Sequence, residues 1–212
     1  MNTSVSKFDD EAIDSQQGQV QQKQVTVWDP LVRIFHWSLV SAFFIAYFTE
    51  DDLLDIHVYA GYVVAGLLVF RLIWGLVGSR HARFTDFVKR PSEVWAYLKS
   101  IIGQHPRRYL GHNPAGGAMI IALLSSLVLV TISGIVIYSI EESAGPLGAS
   151  LSGVGEFWED VVEELHEFFS NVTVALVFFH VTGVLIASLQ HKENLVKSMV
   201  NGRKPVDEED AK

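Results

Sequence analysis

Two histidines, His166 and His180, stand fourteen positions apart in an apolar run that continues to Leu189. On an α-helix, at about 100° per residue, their imidazoles return to within about 40° of one face and lie about 21 Å apart along the axis. The same interval separates His57 from Arg71 in a second apolar run, and His36 lies three residues after Arg33 in a third. Neutral imidazoles at matched depths on different helices can hold a metal between them. An arginine in the same setting needs an anion or a water-filled cavity. Metal ligation is therefore the chemistry to test against the rest of the chain.

The elements that must position these residues are membrane-spanning helices. Leu31 to Phe48, Val58 to Gly78, Ala115 to Ile140 and Phe168 to Leu189 are each close to the ~20 apolar residues needed to cross a bilayer. In a chain of 212 residues, 49% of them hydrophobic, four such spans leave little for another domain. The expected fold is all-α, an integral membrane four-helix bundle over residues 27–205. A disordered polar tail (1–26) and a short polar tail (206–212) flank it.

Cysteine is absent, which excludes thiolate metal sites, iron–sulfur clusters and covalent haem attachment. The first 26 residues are Gln-rich and lack an apolar signal core, so the first span is expected to direct insertion. Charge is lopsided. Glu50 to Ile56 and Glu141 to Leu165 contain no Lys or Arg, whereas Ser79 to Asn113 holds seven and the C-terminal tail five. The positive-inside rule then puts both termini and the middle connection in the cytoplasm and the acidic loops outside, in a multi-pass membrane protein.

Shorter segments carry weaker signals. Trp28 suits an interfacial anchor and Pro30 a first helical turn. Pro91 to Lys99 reads as a short surface helix. His81, His105 and His112 lie among Arg, Pro and Gly residues and read as solvated, and His191 as a headgroup-level residue. The third span offers only small packing residues, Ser125, Ser126, Ser133 and Gly134, and looks like a wall. The acidic loop before His166 reads as a solvated face or as a docking surface for a basic partner.

Topology pairs the histidines. His57 and His166 both begin helices that enter from outside; His36 begins one from inside, and His180 lies about 21 Å inward of His166. Without thiolates, carboxylates or a third histidine in the spans, zinc and di-iron sites are disfavoured. Two opposed imidazoles suit a b-type haem, and bis-histidine ligation leaves electron transfer as the task. Haem propionates would supply the anions that Arg71 and Arg33 lack, and Gly61 would let the macrocycle approach the second helix.

These residues resemble the bacterial cytochrome b561 group, which includes the cytochrome b subunits of nickel–iron hydrogenases. The resemblance is carried by Trp28-Asp29-Pro30 through His36-Trp37, His57 with Gly61, Phe70-Arg71 through Gly75, Gly111-His112-Asn113-Pro114, Leu165-His166-Glu167, and His180 followed by His191-Lys192-Glu193-Asn194-Leu195. It implies two haem b groups, the cytoplasmic one on His36 and His180 and the outer one on His57 and His166. It further implies electron transfer between a quinone substrate and a periplasmic redox protein, such as a c-type cytochrome or an oxidoreductase subunit, in a lipid bilayer. A homodimer fits this picture; a nucleic-acid partner does not. The alternative reading is a haem-free transporter or structural anchor using the histidines as polar or metal ligands. It expects mid-membrane acids or broken helices, which the spans lack.

Overall fold

The computed structural model describes residues 24–50, 52–103 and 106–206. Most of the expected N-terminal tail, residues 207–212 and His105 lie outside them. Among the described residues four helices are long and apolar enough to cross a membrane: α1 (Pro30–Phe48), α2 (Leu54–Val77), α5 (Pro114–Glu141) and α7 (Glu156–Gln190). Between α2 and α5 come α3 (Phe84–Phe87) and α4 (Pro91–Ile102); α6 (Gly148–Leu151) precedes α7 and α8 (Leu195–Asn201) follows it. The expected surface helix is α4, with the Arg90 amide donating to the Glu93 carboxylate at 3.3 Å.

Local chemistry starts each span. Asp29 caps α1 by accepting from the Val32 amide at 3.0 Å, with Pro30 in the first turn. Asn113 caps α5 in the same way, accepting from Gly116 at 2.7 Å, again followed by proline. The Asp29 carboxylate also accepts from Ser79 and, at 3.4 Å, from Trp74 Nε1, which ties the start of α1 to the end of α2.

The bundle is two antiparallel pairs, α1 with α2 and α5 with α7, joined where α2 meets α5. Its core is Phe35, Ala42, Val64, Leu68, Leu124 and Leu127. In hydrocarbon, apolar burial gives helices little reason to associate, so small residues and interhelical hydrogen bonds matter more. Ser126 on α5 and the fully buried Thr173 on α7 share such a bond at 2.7 Å. Ile34, Phe48, Val69 and Leu76 point outward, as lipid-facing residues do. Neither α1 nor α2 packs closely on α7, and the gap left there holds the histidines.

At the basic end the chain closes into a polar and aromatic cap. Strand β1 (Gln24–Thr26) pairs antiparallel with β2 (Arg203–Pro205), so three residues read as tail belong to the fold. Gly202, at φ +81°, ends α8 in the left-handed conformation that glycine adopts without a Cβ clash. Its carbonyl accepts from the Val27 and Trp28 amides. Glu193 binds Arg108 and, at 3.7 Å, Lys204, all three largely buried. Trp28 is no interfacial anchor: it is 7% exposed, with His112 at 4.5 Å between ring centroids. At the acidic end α7 starts twelve residues before Phe168, the position at which the fourth span was expected to begin. At 35 residues it is about 52 Å long against a hydrocarbon core of about 30 Å. Its first turns therefore project from the bilayer.

Burial pushes the Asp29 carboxyl up, but hydrogen bonds from Ser79, Val32, Trp74 and Leu31 outweigh it and leave the group below the usual carboxylate range. A depressed folded value means the carboxylate's contribution to stability is complete above the unfolded value of about 3.9 and lost as pH falls through the folded one. Asp29→Ala should cost about 1–2 kcal/mol at neutral pH, with the difference from the parent narrowing below about pH 4. Thermal unfolding in detergent across that range checks it; coincident curves at neutral pH would show that the carboxylate adds nothing.

Candidate functional site

The structure brings His57 and His166 together. Their ring centroids are 6.0 Å apart with planes at 73°. With metal–imidazole bonds of ~2.0–2.1 Å, two rings on opposite sides of one metal have centroids about 6 Å apart. His57 Nδ1 lies 2.9 Å from the Ala46 carbonyl, and His166 Nδ1 lies 2.9 Å from the Val130 carbonyl and 3.2 Å from Ser133 Oγ. A carbonyl only accepts, so in each neutral ring Nδ1 carries the proton and Nε2 keeps a free lone pair. This is how metal-binding histidines are oriented: the outer nitrogen donates to a backbone carbonyl and the inner one ligates.

The third span is a wall, as expected, but a shaped one. A Cβ on Gly134 would meet His166 Cε1 at 2.8 Å, so glycine here makes room for the ring that Ser133 and Val130 orient. Gly61 differs. Nothing lies within 4 Å of the position its Cβ would take, and it lines a cleft with both histidines, Phe43, Tyr47, Glu50 and Tyr138. That cleft encloses about 80 Å³ within about 680 Å³ of more open space. Gly75 serves packing only, since a Cβ there would strike the Phe84 ring at 2.1 Å.

The second pair lies toward the basic end. His36 on α1 and His180 on α7 lie within electrostatic reach of each other, and His36 Nδ1 is buried without a hydrogen-bond partner. From the His57–His166 contact, α2 and α7 each continue as helix for fourteen residues away from the acidic end, which puts Arg71 and His180 about 21 Å along at a similar depth. Arg71 is 4% exposed, its guanidinium 5.0 Å from the Phe84 ring centroid and 5.8 Å from that of Phe87. Asp29 is the acid that acts on it, yet Nη1 of Arg71 has no partner. Arg33 does not spend its charge on lipid alone. It donates to the Val200 carbonyl at the end of α8, and its buried Nε is unpartnered.

His112 overturns its expected solvated placement. The ring packs on Trp28 and, at 5.0 Å, on Phe87, with Nδ1 shut off from solvent and unpartnered. Burial, then the charges of Arg71 and Lys204, push it down to about 3, so it is neutral at physiological pH. A signal was present: an Asn-Pro helix start immediately after His112 places it against the bundle end. His81 is also partly buried, its Nδ1 3.0 Å from Asp86. Among the described residues no group of three or more His, Asp or Glu side chains could hold a metal ion. Pairs of histidines remain, which is the donor set a macrocycle-held iron asks of a protein.

A model of the prokaryotic cytochrome b561 family matches residues 27–202, from the buried start of the cap to the glycine that ends α8. The chain belongs to that family. Its work is membrane electron transfer as a b-type cytochrome, and it is a multi-pass protein of the bacterial inner membrane. A probable Ni/Fe-hydrogenase B-type cytochrome subunit from Rhizobium leguminosarum bv. viciae is 25% identical over 216 residues, covering 87% of this chain and 90% of the relative. A probable Ni/Fe-hydrogenase 1 B-type cytochrome subunit from Escherichia coli K12 is 27% identical over 209 residues, covering 83% and 88%. One from Azotobacter vinelandii is 26% identical over 220 residues, covering 89% and 92%. No solved structure matches significantly.

The two glycines give opposite expectations for the cofactor-free protein. Gly134→Ala should cost about 1–2 kcal/mol, because overpacking against the pinned His166 ring exceeds the gain in helix propensity. Gly61→Ala should be neutral or stabilising by up to about 1 kcal/mol. Thermal unfolding in detergent separates them, and equal effects would contradict the difference in space.

Proposed function

We propose that the chain holds two haem b groups, ligated by His57 and His166 at the acidic end and by His36 and His180 at the basic end. It passes electrons between a quinone and a redox partner protein. The observation that carries this reading is the His57–His166 pair. Its 6.0 Å separation matches two axial ligands, and both Nδ1 protons are committed to backbone carbonyls. The second pair is supported by the unpartnered His36 Nδ1 and the equal spacing along α2 and α7. Haem held there would supply a one-electron carrier, and ligation by two histidines would leave its iron no open position for oxygen.

The chain's own residues do the rest. The carbonyls of Ala46 and Val130 hold the outer imidazoles in the ligating tautomer. Gly61 leaves a flat face for the macrocycle at the acidic end. Arg71 and Arg33, each with an unpartnered buried nitrogen, bind the propionates of the inner haem. The gap between α7 and the α1–α2 pair is the slot, and the lipid-facing apolar surface keeps water from it.

By the positive-inside rule the basic end, with both termini, faces the cytoplasm and the acidic end the periplasm. The redox partner then meets the outer site. The hydrogenase association in the names of the relatives makes a periplasmic oxidoreductase subunit the first candidate, and a c-type cytochrome the second.

Purified protein expressed with adequate haem should show low-spin b-type bands and two haems per chain by pyridine haemochrome assay. His180→Ala and His57→Ala should each lose about half of the haem, and the double variant nearly all. Gly61→Leu should lose haem at the acidic end only. A parent protein without these bands, or one whose haem survives loss of both histidines, would falsify the proposal.

A further inference from the structure

All sixteen Lys and Arg residues lie outside the stretches 34–70 and 109–191, and those stretches contain twelve of the twenty-four acids. Those among the described residues belong to the end that carries His57 and His166. Glu50 lines their cleft, Glu163 precedes His166 by one helical turn, and Glu167 follows it directly. Glu141 at the end of α5 lies within electrostatic reach of Glu163 and Glu159 on α7 and of its neighbour Glu142. At the depth of His36 and His180 the balance is opposite. Arg71 is almost wholly buried there and Arg33 lies one turn from His36, against Asp29 as the nearby acid. His112 is neutral and His81 faces Asp86, so neither reverses the sign.

A second difference is independent of charge. The outer imidazoles donate their Nδ1 protons to the Ala46 and Val130 carbonyls, which makes them more basic ligands. Buried His36 Nδ1 has no such acceptor. Adding one electron to either haem lowers its charge by one and breaks no bond. Nearby cations favour the reduced form; nearby anions and basic ligands favour the oxidised form. With identical axial ligands, these surroundings decide the order.

We propose that the two sites differ in midpoint potential in a fixed sense: the site beside Arg71 at the basic end is the easier to reduce, and Arg71 is the main residue responsible. This rests on the two-haem reading above.

The test is a spectroelectrochemical titration of the purified holoprotein in detergent at constant ionic strength. Two waves are expected, and His36→Ala, which removes the inner haem, should leave the lower one. Arg71→Gln should shift only the higher wave downward. At a fixed potential its reduced-to-oxidised ratio falls about tenfold, as for one charge removed at about 10 Å in a medium of effective dielectric about 20. Arg71→Lys, which keeps the charge, should restore most of that ratio. If Arg71→Gln loses haem, the exposed pair Glu163→Gln with Glu167→Gln should raise only the lower wave. A higher wave surviving in His36→Ala overturns the proposal, and so do two unmoved waves in the charge variants. Two haems present with the wrong order refute this inference alone; fewer than two haems in the parent refute the two-haem reading and this inference with it.

Discussion

An imidazole inside a bilayer must place both of its nitrogens, because no water is at hand to take the one left over. That requirement organises the acidic half of the bundle. Backbone carbonyls of neighbouring helices, Ala46 on α1 and Val130 on α5, take the Nδ1 protons of His57 and His166. Each Nε2 is left as a lone pair without a proton. Four helices are needed for this: two carry the rings and two supply the acceptors. A carbonyl oxygen carries two lone pairs, so each can take an imidazole proton beside a backbone hydrogen bond of its own.

The same requirement explains the gap along α7. Had α1 and α2 closed on α7 as tightly as α5 does, the histidines would have been excluded or forced into contact with apolar side chains. Instead α5 is the span that packs closely on α7, with small residues and the Ser126–Thr173 bond between them. The slot is left for something flat. Gly134 and Gly61 mark its two sides for opposite reasons: at one, a ring fills the space a side chain would take; at the other, the space is left open.

The cap at the basic end has a related role. It gathers Asp29, Arg71, His112 and the Glu193 cluster where β1, β2 and α8 meet. Asp29 is spent on four donors, Ser79, Val32, Trp74 and Leu31, and Arg71 keeps a buried nitrogen without a partner. In a low-dielectric setting such a residue is costly to maintain unless an anion completes it. The bundle thus has a basic end built around cations and an opposite end surrounded by carboxylates.

Much of this was legible in the residues themselves. Span lengths, charge asymmetry and the fourteen-residue intervals depend only on helix geometry and hydrocarbon thickness, so number of spans and relative depths of His57, His166, Arg71 and His180 follow from order along the chain. What the order could not reveal was who faces whom around the bundle. Trp28 read as an interfacial anchor and His112 as a solvated group; they pack ring on ring at the end of the bundle where β1 and β2, 177 residues apart from Thr26 to Arg203, pair. The seat for His166 was equally hidden, since Gly134 and Ser133 acquire meaning only when α5 lies against α7. Rotation about each helix axis is set by side-chain packing between helices distant in sequence, and that is a property of the assembled tertiary structure.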